Sequence, residues 1–168
     1  DKDASEQSVW FKCGREGPEK LCVKTMESKY TEHYHIGSLV LLEDYSNTPS
    51  KLTIAKVIKI NRLPGDKYVQ FSIRFLGTYA LPVTMTSTEN MLEGKYNSKL
   101  VLGAIMVTAP NKMNSLIIPF SKSYWYDSDI VIFNNNQEVQ ARFAKVLDMS
   151  QDFYQFALVN ERPIHKKK

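Results

Sequence analysis

The fold of this 168-residue chain is best indicated by the stretch from Ile36 to Phe75, IGSLVLLEDYSNTPSKLTIAKVIKINRLPGDKYVQFSIRF. From Leu52 to Ile60 apolar and polar residues largely alternate, which is the period-two pattern of a half-buried strand. The tetrapeptide Leu63-Pro64-Gly65-Asp66 then places proline and glycine where a type II turn requires them. Residues 52–76 are therefore predicted to form a β-hairpin.

A second stretch with a similar pattern runs from Asp127 to Val159, DSDIVIFNNNQEVQARFAKVLDMSQDFYQFALV. Its segment Phe143-Ala144-Lys145-Val146-Leu147 corresponds to Ile54-Ala55-Lys56-Val57-Ile58 of the first stretch. Its segment Phe153–Leu158 corresponds to Tyr68–Ile73, because each reads as an aromatic-containing strand with Gln-Phe at its centre. We interpret the two stretches as two copies of one β-element.

The rest of the chain also favours strands, and no segment shows a long 3.6-residue periodicity. Strands are expected over Tyr79–Thr86 and Lys99–Thr108, and an edge strand over Leu116–Phe120, since Pro119 interrupts that run. The predicted fold class is all-β, with two related small β-barrel or half-barrel units preceded by a disulfide-closed hairpin. The expected organisation is an N-terminal cysteine-hairpin segment at 1–35, a first β-unit at 36–80, connecting strands at 81–123, a second β-unit at 124–162 and a basic tail at 163–168.

Composition and charge limit the classes of partner. The chain is 43% hydrophobic and 24% charged, which is ordinary for a globular protein. Without the three terminal lysines, 19 basic side chains face 18 acidic ones. A nucleic-acid-binding surface usually needs a dense basic stripe, so no nucleic-acid partner is expected. No apolar run approaches the roughly 20 residues of a membrane-spanning helix.

The two cysteines, Cys13 and Cys22, flank a turn-like segment that contains two glycines and a proline. Strand-like residues lie on both sides, so a hairpin over 9–26 is predicted, and a hairpin brings opposed cysteines close enough for a disulfide. A disulfide fits an oxidising compartment, so a periplasmic or secreted protein is expected. The polar opening stretch, residues 1–7, is typical of a processed N-terminus. The alternative is two free thiols in a cytoplasmic protein.

A metal site is a weaker alternative for the same region. Cys13, Cys22, His33 and His35 together form a Cys₂His₂ set, and histidines two apart on a strand point the same way. However, eight residues separate the cysteines, which is wider than usual zinc spacing. We therefore expect no metal and no cofactor.

Catalytic patterns are not found in the sequence, which contains three histidines, no Ser-His-Asp arrangement and no glycine-rich phosphate loop. We expect a protein that is not an enzyme. The densest aromatic cluster is Tyr124-Trp125-Tyr126, which offers either a surface for a partner or one core aromatic with two half-exposed neighbours.

The first copy resembles the second half of a PilZ-type β-barrel. The residues that carry the resemblance are Gly37-Ser38-Leu39-Val40, Ile54–Ile58, Pro64-Gly65-Asp66 and Phe71-Ser72-Ile73-Arg74-Phe75. The resemblance implies a small barrel and, as an alternative function, a cyclic-dinucleotide receptor using Arg62 and Arg74. The family's two binding motifs are absent from the sequence. Tudor-like and SH3-like barrels are similar as well, and would imply a reader of peptides or nucleic acid.

Taken together, these patterns predict a non-enzymatic interaction module. Its expected partners are other protein subunits, with self-association as an alternative, and its expected setting is a larger assembly of the bacterial envelope. Abundant strand edges and surface aromatics suit binding through surface patches or strand addition.

Overall fold

The computed structural model describes residues 9–15, 17–28, 31–43, 51–88, 101–120 and 128–164. Of the described residues, 72% lie in strands and 3% in helix, which confirms the all-β class. The described residues include a single turn of 3₁₀ helix, η1 (Thr31–His33). The strands are β1 (Trp10–Arg15), β2 (Lys20–Met26), β3 (Leu39–Glu43), β4 (Leu52–Arg62), β5 (Tyr68–Ser87), β6 (Leu102–Thr108), β7 (Asn114–Pro119), β8 (Asp129–Asn134), β9 (Gln137–Met149) and β10 (Phe153–Pro163).

These strands form a large antiparallel sheet that does not close into a regular barrel. The finer division into two barrel or half-barrel units stays a prediction. The chain divides into two compact units. Unit 1 comprises Asp1–Leu42 and Ala55–Phe75, and unit 2 comprises Glu43–Ile54 and Leu76–Lys168. The cysteine hairpin belongs to unit 1, and the second predicted copy belongs to unit 2.

In unit 1 the strand order is β1-β2-β5-β4-β3. The predicted hairpin of β4 and β5 is confirmed, and Gly65 adopts a positive φ of 79° in its turn. Side chains from β2, β3, β4 and β5 point to one face and build a continuous apolar core, because alternate residues of a strand share a face. This core contains Val23, Val40, Ala55, Val57, Val69, Phe71 and Ile73.

Three aromatic rings close this core beside β1. Trp10 stacks on Phe71 with ring centroids 5.1 Å apart, and Tyr34 meets both rings edge-on at 5.7 Å. Such pairs add about 0.5–1.5 kcal/mol each beyond the area that they bury. Burial raises the pKa of the Tyr34 phenol, since the charged phenolate would lose solvation there.

In unit 2 the strands β6, β7, β10, β9 and β8 follow one another from β5, and the end of β5 also pairs with β8 through Thr84–Ser87. All six strands contribute to a second apolar core. It contains Val83, Met85, Ala104, Leu116, Ile118, Ile130, Ile132, Ala141, Phe143, Phe156 and Leu158. The stacked rings of Phe143 and Phe156, 4.5 Å apart, lie within it.

A buried polar network lies on the opposite face of β7 and β10. The Gln155 amide is 2% exposed and donates to the Leu76 carbonyl and to the Ser115 hydroxyl, both at 2.9 Å. Ser115 in turn donates to the Val107 carbonyl at 3.0 Å. Both amide hydrogens are therefore used inside the unit, as a buried polar group requires.

The structure corrects one expectation from the sequence and leaves another as a prediction. The run ending at Pro119 is not an edge: β7 pairs with β6 and with β10, and the proline is tolerated because it is the last residue of the strand. Both copies of the predicted repeat form three-stranded meanders, β3-β4-β5 and β8-β9-β10. Equivalent residues differ in burial, since Val57 is fully buried and Val146 is 41% exposed. The repeat therefore stays a prediction.

Candidate functional site

The strands β1, β2 and the first part of β5 present two chemically different faces in unit 1. Their inward residues reach the apolar core, and their outward residues form rows across the three strands. Phe11 is paired with Lys24, which is paired with Gln70, and Met26 is paired with Tyr68. We call this surface the outer face; it consists of Phe11, Lys20, Cys22, Lys24, Met26, Tyr68, Gln70 and Arg74. Ser72 lies in the same register but is buried.

The outer face exposes apolar side chains next to the edge of the sheet. Phe11 is 51% exposed and Met26 is 54% exposed, and the preceding Val9 is 67% exposed. Single exposed apolar residues are normal, but neighbouring ones beside an edge strand make this part of unit 1 the candidate site.

The charge of the outer face is of one sign. Its strand residues include Lys20, Lys24 and Arg74 and contain no aspartate or glutamate. The ammonium groups of Lys24 and of Lys67, in the preceding turn, each lie 5.5 Å from the centroid of the Tyr68 ring. The aromatic ring thus holds two cations beside the apolar patch, by cation–π attraction.

The first strand, β1, ends the strand order and has β2 as its strand neighbour among the described residues. An edge strand carries backbone N–H and C=O groups along its outer side that another chain can pair with. Trp10 anchors β1 inward through its stack on Phe71, and the Thr25 hydroxyl donates to the Val9 carbonyl at 2.9 Å. The edge is therefore held in place by inward contacts while Phe11 faces outward.

The predicted hairpin carries both cysteines. They lie near each other but not at disulfide distance, and they form no disulfide. A β-bulge explains the difference from the expected pairing. Lys12 is paired with Val23, and Gly14, not Cys13, is paired with Cys22. Cys13 is the extra residue of the bulge, so its side chain does not stand directly opposite Cys22.

The Cys₂His₂ set is not brought together. In the described part of the chain, no group of three or more histidine, cysteine, aspartate or glutamate side chains is placed to hold a metal ion. His33 is exposed at the end of the 3₁₀ turn. The His35 ring is 3.2 Å from the Ser38 hydroxyl, in the turn that leads to β3.

The two arginines suggested by the PilZ resemblance are also separated. Arg62 ends β4, where it pairs with Glu27 at 3.4 Å and donates to the Thr31 carbonyl at 3.3 Å. Arg74 lies six residues beyond Tyr68, the first residue of β5, which is roughly 20 Å along the strand. Only Arg74 belongs to the outer face.

The aromatic cluster Tyr124-Trp125-Tyr126 lies outside the described residues. Sequence reasoning did not identify the outer face, because Phe11, Lys24 and Tyr68 are far apart in the chain and meet only through strand register. A local signal existed in β1, where an inward Trp10 is followed by an outward Phe11.

The described residues contain no helix long and apolar enough to cross a membrane. No family model matches the chain, and the searches of curated proteins and of solved structures return no match either.

Proposed function

We propose that this protein is a non-enzymatic interaction module that binds another protein subunit along β1, by strand addition supported by the outer face. The observation that carries the proposal is the exposed Phe11 on an edge strand. Strand addition gains affinity from backbone hydrogen bonds and specificity from alternate side chains. The flanking Val9 and Met26 enlarge the apolar contact.

Co-purification of partner proteins from the source cells tests this proposal. The Phe11→Ser variant is expected to lose a partner that the unaltered chain recovers. The matched control is Leu41→Ser on β3, the strand at the other end of the unit 1 sheet, where Leu41 is 59% exposed. Equal loss in both variants, or loss in neither, contradicts a specific role for the β1 edge.

The proposed setting is an assembly in an oxidising envelope compartment. It is supported by the positions of Cys13 and Cys22 near each other on one hairpin, where a small shift of the bulge would oppose them. Intact mass of non-reduced protein from the source cells tests this setting. We expect the loss of two hydrogens relative to the reduced chain. Two thiols that react fully with an alkylating reagent would instead support a cytoplasmic location.

A further inference from the structure

We propose that the segment bound along β1 is acidic, with carboxylates alternating with apolar residues. This inference rests on the proposed function, because it names the chemistry of the segment that adds to the edge. It follows from the two faces of β1. Phe11 points to the outer face, and Lys12, the next residue, points the other way and is exposed.

An added strand would repeat this alternation. Directly opposed residues of neighbouring strands have Cβ atoms about 4.5–5.5 Å apart. Before the bulge at Cys13, the residues of the segment opposite Phe11 and Lys12 would therefore each contact one side chain of β1. An apolar side chain is favoured beside Phe11. A carboxylate is favoured beside Lys12, since cross-strand pairs of opposite charge stabilise a sheet and like charges weaken it.

The charges behind β1 favour the same partner. On the outer face the strand residues next to Phe11 supply cations and no carboxylate, with Lys24 directly opposite Phe11. Lys24 lies about 10 Å, two strand spacings, from an added strand, and its ammonium group is 5.5 Å from the Tyr68 ring centroid. The carboxylates of the segment would lie on the opposite face, beside Lys12, so the outer-face cations favour an acidic segment only through their longer-range positive field.

A single-stranded nucleic acid fits the same surface less well. Nucleic-acid binding of this kind depends on aromatic rings on which bases stack. The Tyr68 ring already has the ammonium groups of Lys24 and Lys67 within 5.5 Å of its centroid. The open edge of β1 also offers backbone amide pairing, which an extended peptide can use and a phosphate backbone cannot reproduce.

Three labelled probes test the inference on the full chain by fluorescence anisotropy. The first is a peptide of about six residues, a typical strand length, that alternates glutamate with valine and phenylalanine. The second carries lysine at every glutamate position, and the third is an oligothymidylate. We expect the acidic peptide to bind and its affinity to fall with added salt, and we expect weaker binding of the other two.

Variants locate the binding on β1. Lys12→Glu is expected to weaken the acidic peptide about fivefold and to strengthen the lysine peptide. Lys145→Glu, an exposed strand lysine of unit 2, changes the net charge equally and is expected to leave both affinities unchanged. Equal weakening by both variants would mean that only net charge matters, which would overturn the inference.

The outcomes separate this inference from the proposed function. If partner recovery depends on Phe11 but the acidic and lysine peptides bind alike, or neither binds, the acidic segment is wrong and strand addition stands. If the oligothymidylate binds best and Phe11→Ser weakens it, the surface binds nucleic acid and the inference is overturned. If partner recovery does not depend on Phe11, the proposed function fails as well.

Discussion

Gln155 has a role that only the structure defines, although the strand around it was predicted from the sequence. It lies in the Gln-Phe pattern shared with Gln70, yet Gln155 is buried and Gln70 is half-buried on the outer face. Its amide joins β5 to β7 through Leu76 and Ser115. The pattern predicted a strand in both places and could not predict which glutamine would be enclosed.

Replacing this glutamine should destabilise unit 2. Gln155→Leu removes two donors and leaves the buried Leu76 carbonyl without this partner, so we expect the free energy of unfolding to fall by about 1–3 kcal/mol. The matched variant Gln70→Leu should change it by less than about 0.5 kcal/mol. Urea unfolding of both variants measures the difference. Equal effects would mean that the buried network contributes no more stability than a surface position.

Tyr34 should make the stability of unit 1 depend on alkaline pH. Because burial raises its pKa in the folded chain, the neutral phenol is favoured on folding. This stabilisation is fully present below the unfolded value of about 10 and is lost as pH rises through the folded pKa.

Urea midpoints measured across the alkaline range for the unaltered chain and for Tyr34→Phe test that dependence. The variant should lose stability less steeply as pH rises, since phenylalanine cannot ionise. Parallel curves would show that Tyr34 ionises equally easily in the folded and unfolded chains.

At the scale of elements, the close approach of β5 to β6 depends on Gly77. A Cβ atom there would collide with the Thr108 carbonyl oxygen and with the Val107 side chain. Gly77→Ala should therefore cost about 1–3 kcal/mol, as overpacking does. Gly103 lies on β6, in the same strand pair, with open space around its would-be Cβ. Gly103→Ala should be neutral or stabilise by about 0.5–1 kcal/mol. Thermal unfolding compares the two, and similar effects would contradict a steric role for Gly77.

Hairpins were the elements that could be predicted well. Alternation plus the turn at residues 63–66 identified β4 and β5, and the cysteine-flanking residues identified β1 and β2. Local patterns of this kind state where a strand turns back, because turn geometry depends on neighbouring residues. They did not reveal that Tyr68–Leu76 and Tyr79–Thr86 belong to one strand, β5.

That long strand continues through a bulge at Tyr79. Thr78 is paired with Thr108 and Leu81 with Met106, so β5 holds one extra residue, and Tyr79 has a φ of 57°. A bulky residue is rare in this left-handed region, and no sequence pattern indicated it. The bulge at Cys13 was not indicated by the sequence either, because alternation alone does not show a one-residue shift in strand register. The hairpin formed as predicted, but the shift keeps Cys13 from standing opposite Cys22.

At the scale of the whole molecule, the described residues form two cores, one in each compact unit. Phe71→Ala should mainly accelerate amide hydrogen exchange in unit 1, and Phe143→Ala should mainly accelerate it in unit 2. Each truncation of a fully buried ring should cost about 3–5 kcal/mol. Hydrogen exchange resolved along the sequence distinguishes this from a single cooperative block, in which either variant would accelerate exchange throughout.

Local patterns could not decide between barrel and half-barrel units, for a physical reason. Whether a sheet closes depends on stagger and tilt summed over all strands, and local hairpin patterns do not contain those quantities. The outer face could not be predicted from local patterns either, because it is assembled from β1, β2 and β5 by strand register. Composition indicated a near-neutral balance of charges without the three terminal lysines. It could not show that the acidic residues avoid one face.

The most direct test of the central claim is site-specific photocrosslinking in the source cells. A photoreactive amino acid at position 11 should capture a partner protein through its extended segment, and one at position 41 on β3 should not capture that partner. Mass spectrometry of the crosslinked peptide would then show alternating apolar and acidic residues at the attachment site. Capture of the same partner with equal yield from both positions, or from position 41 alone, would contradict binding along β1.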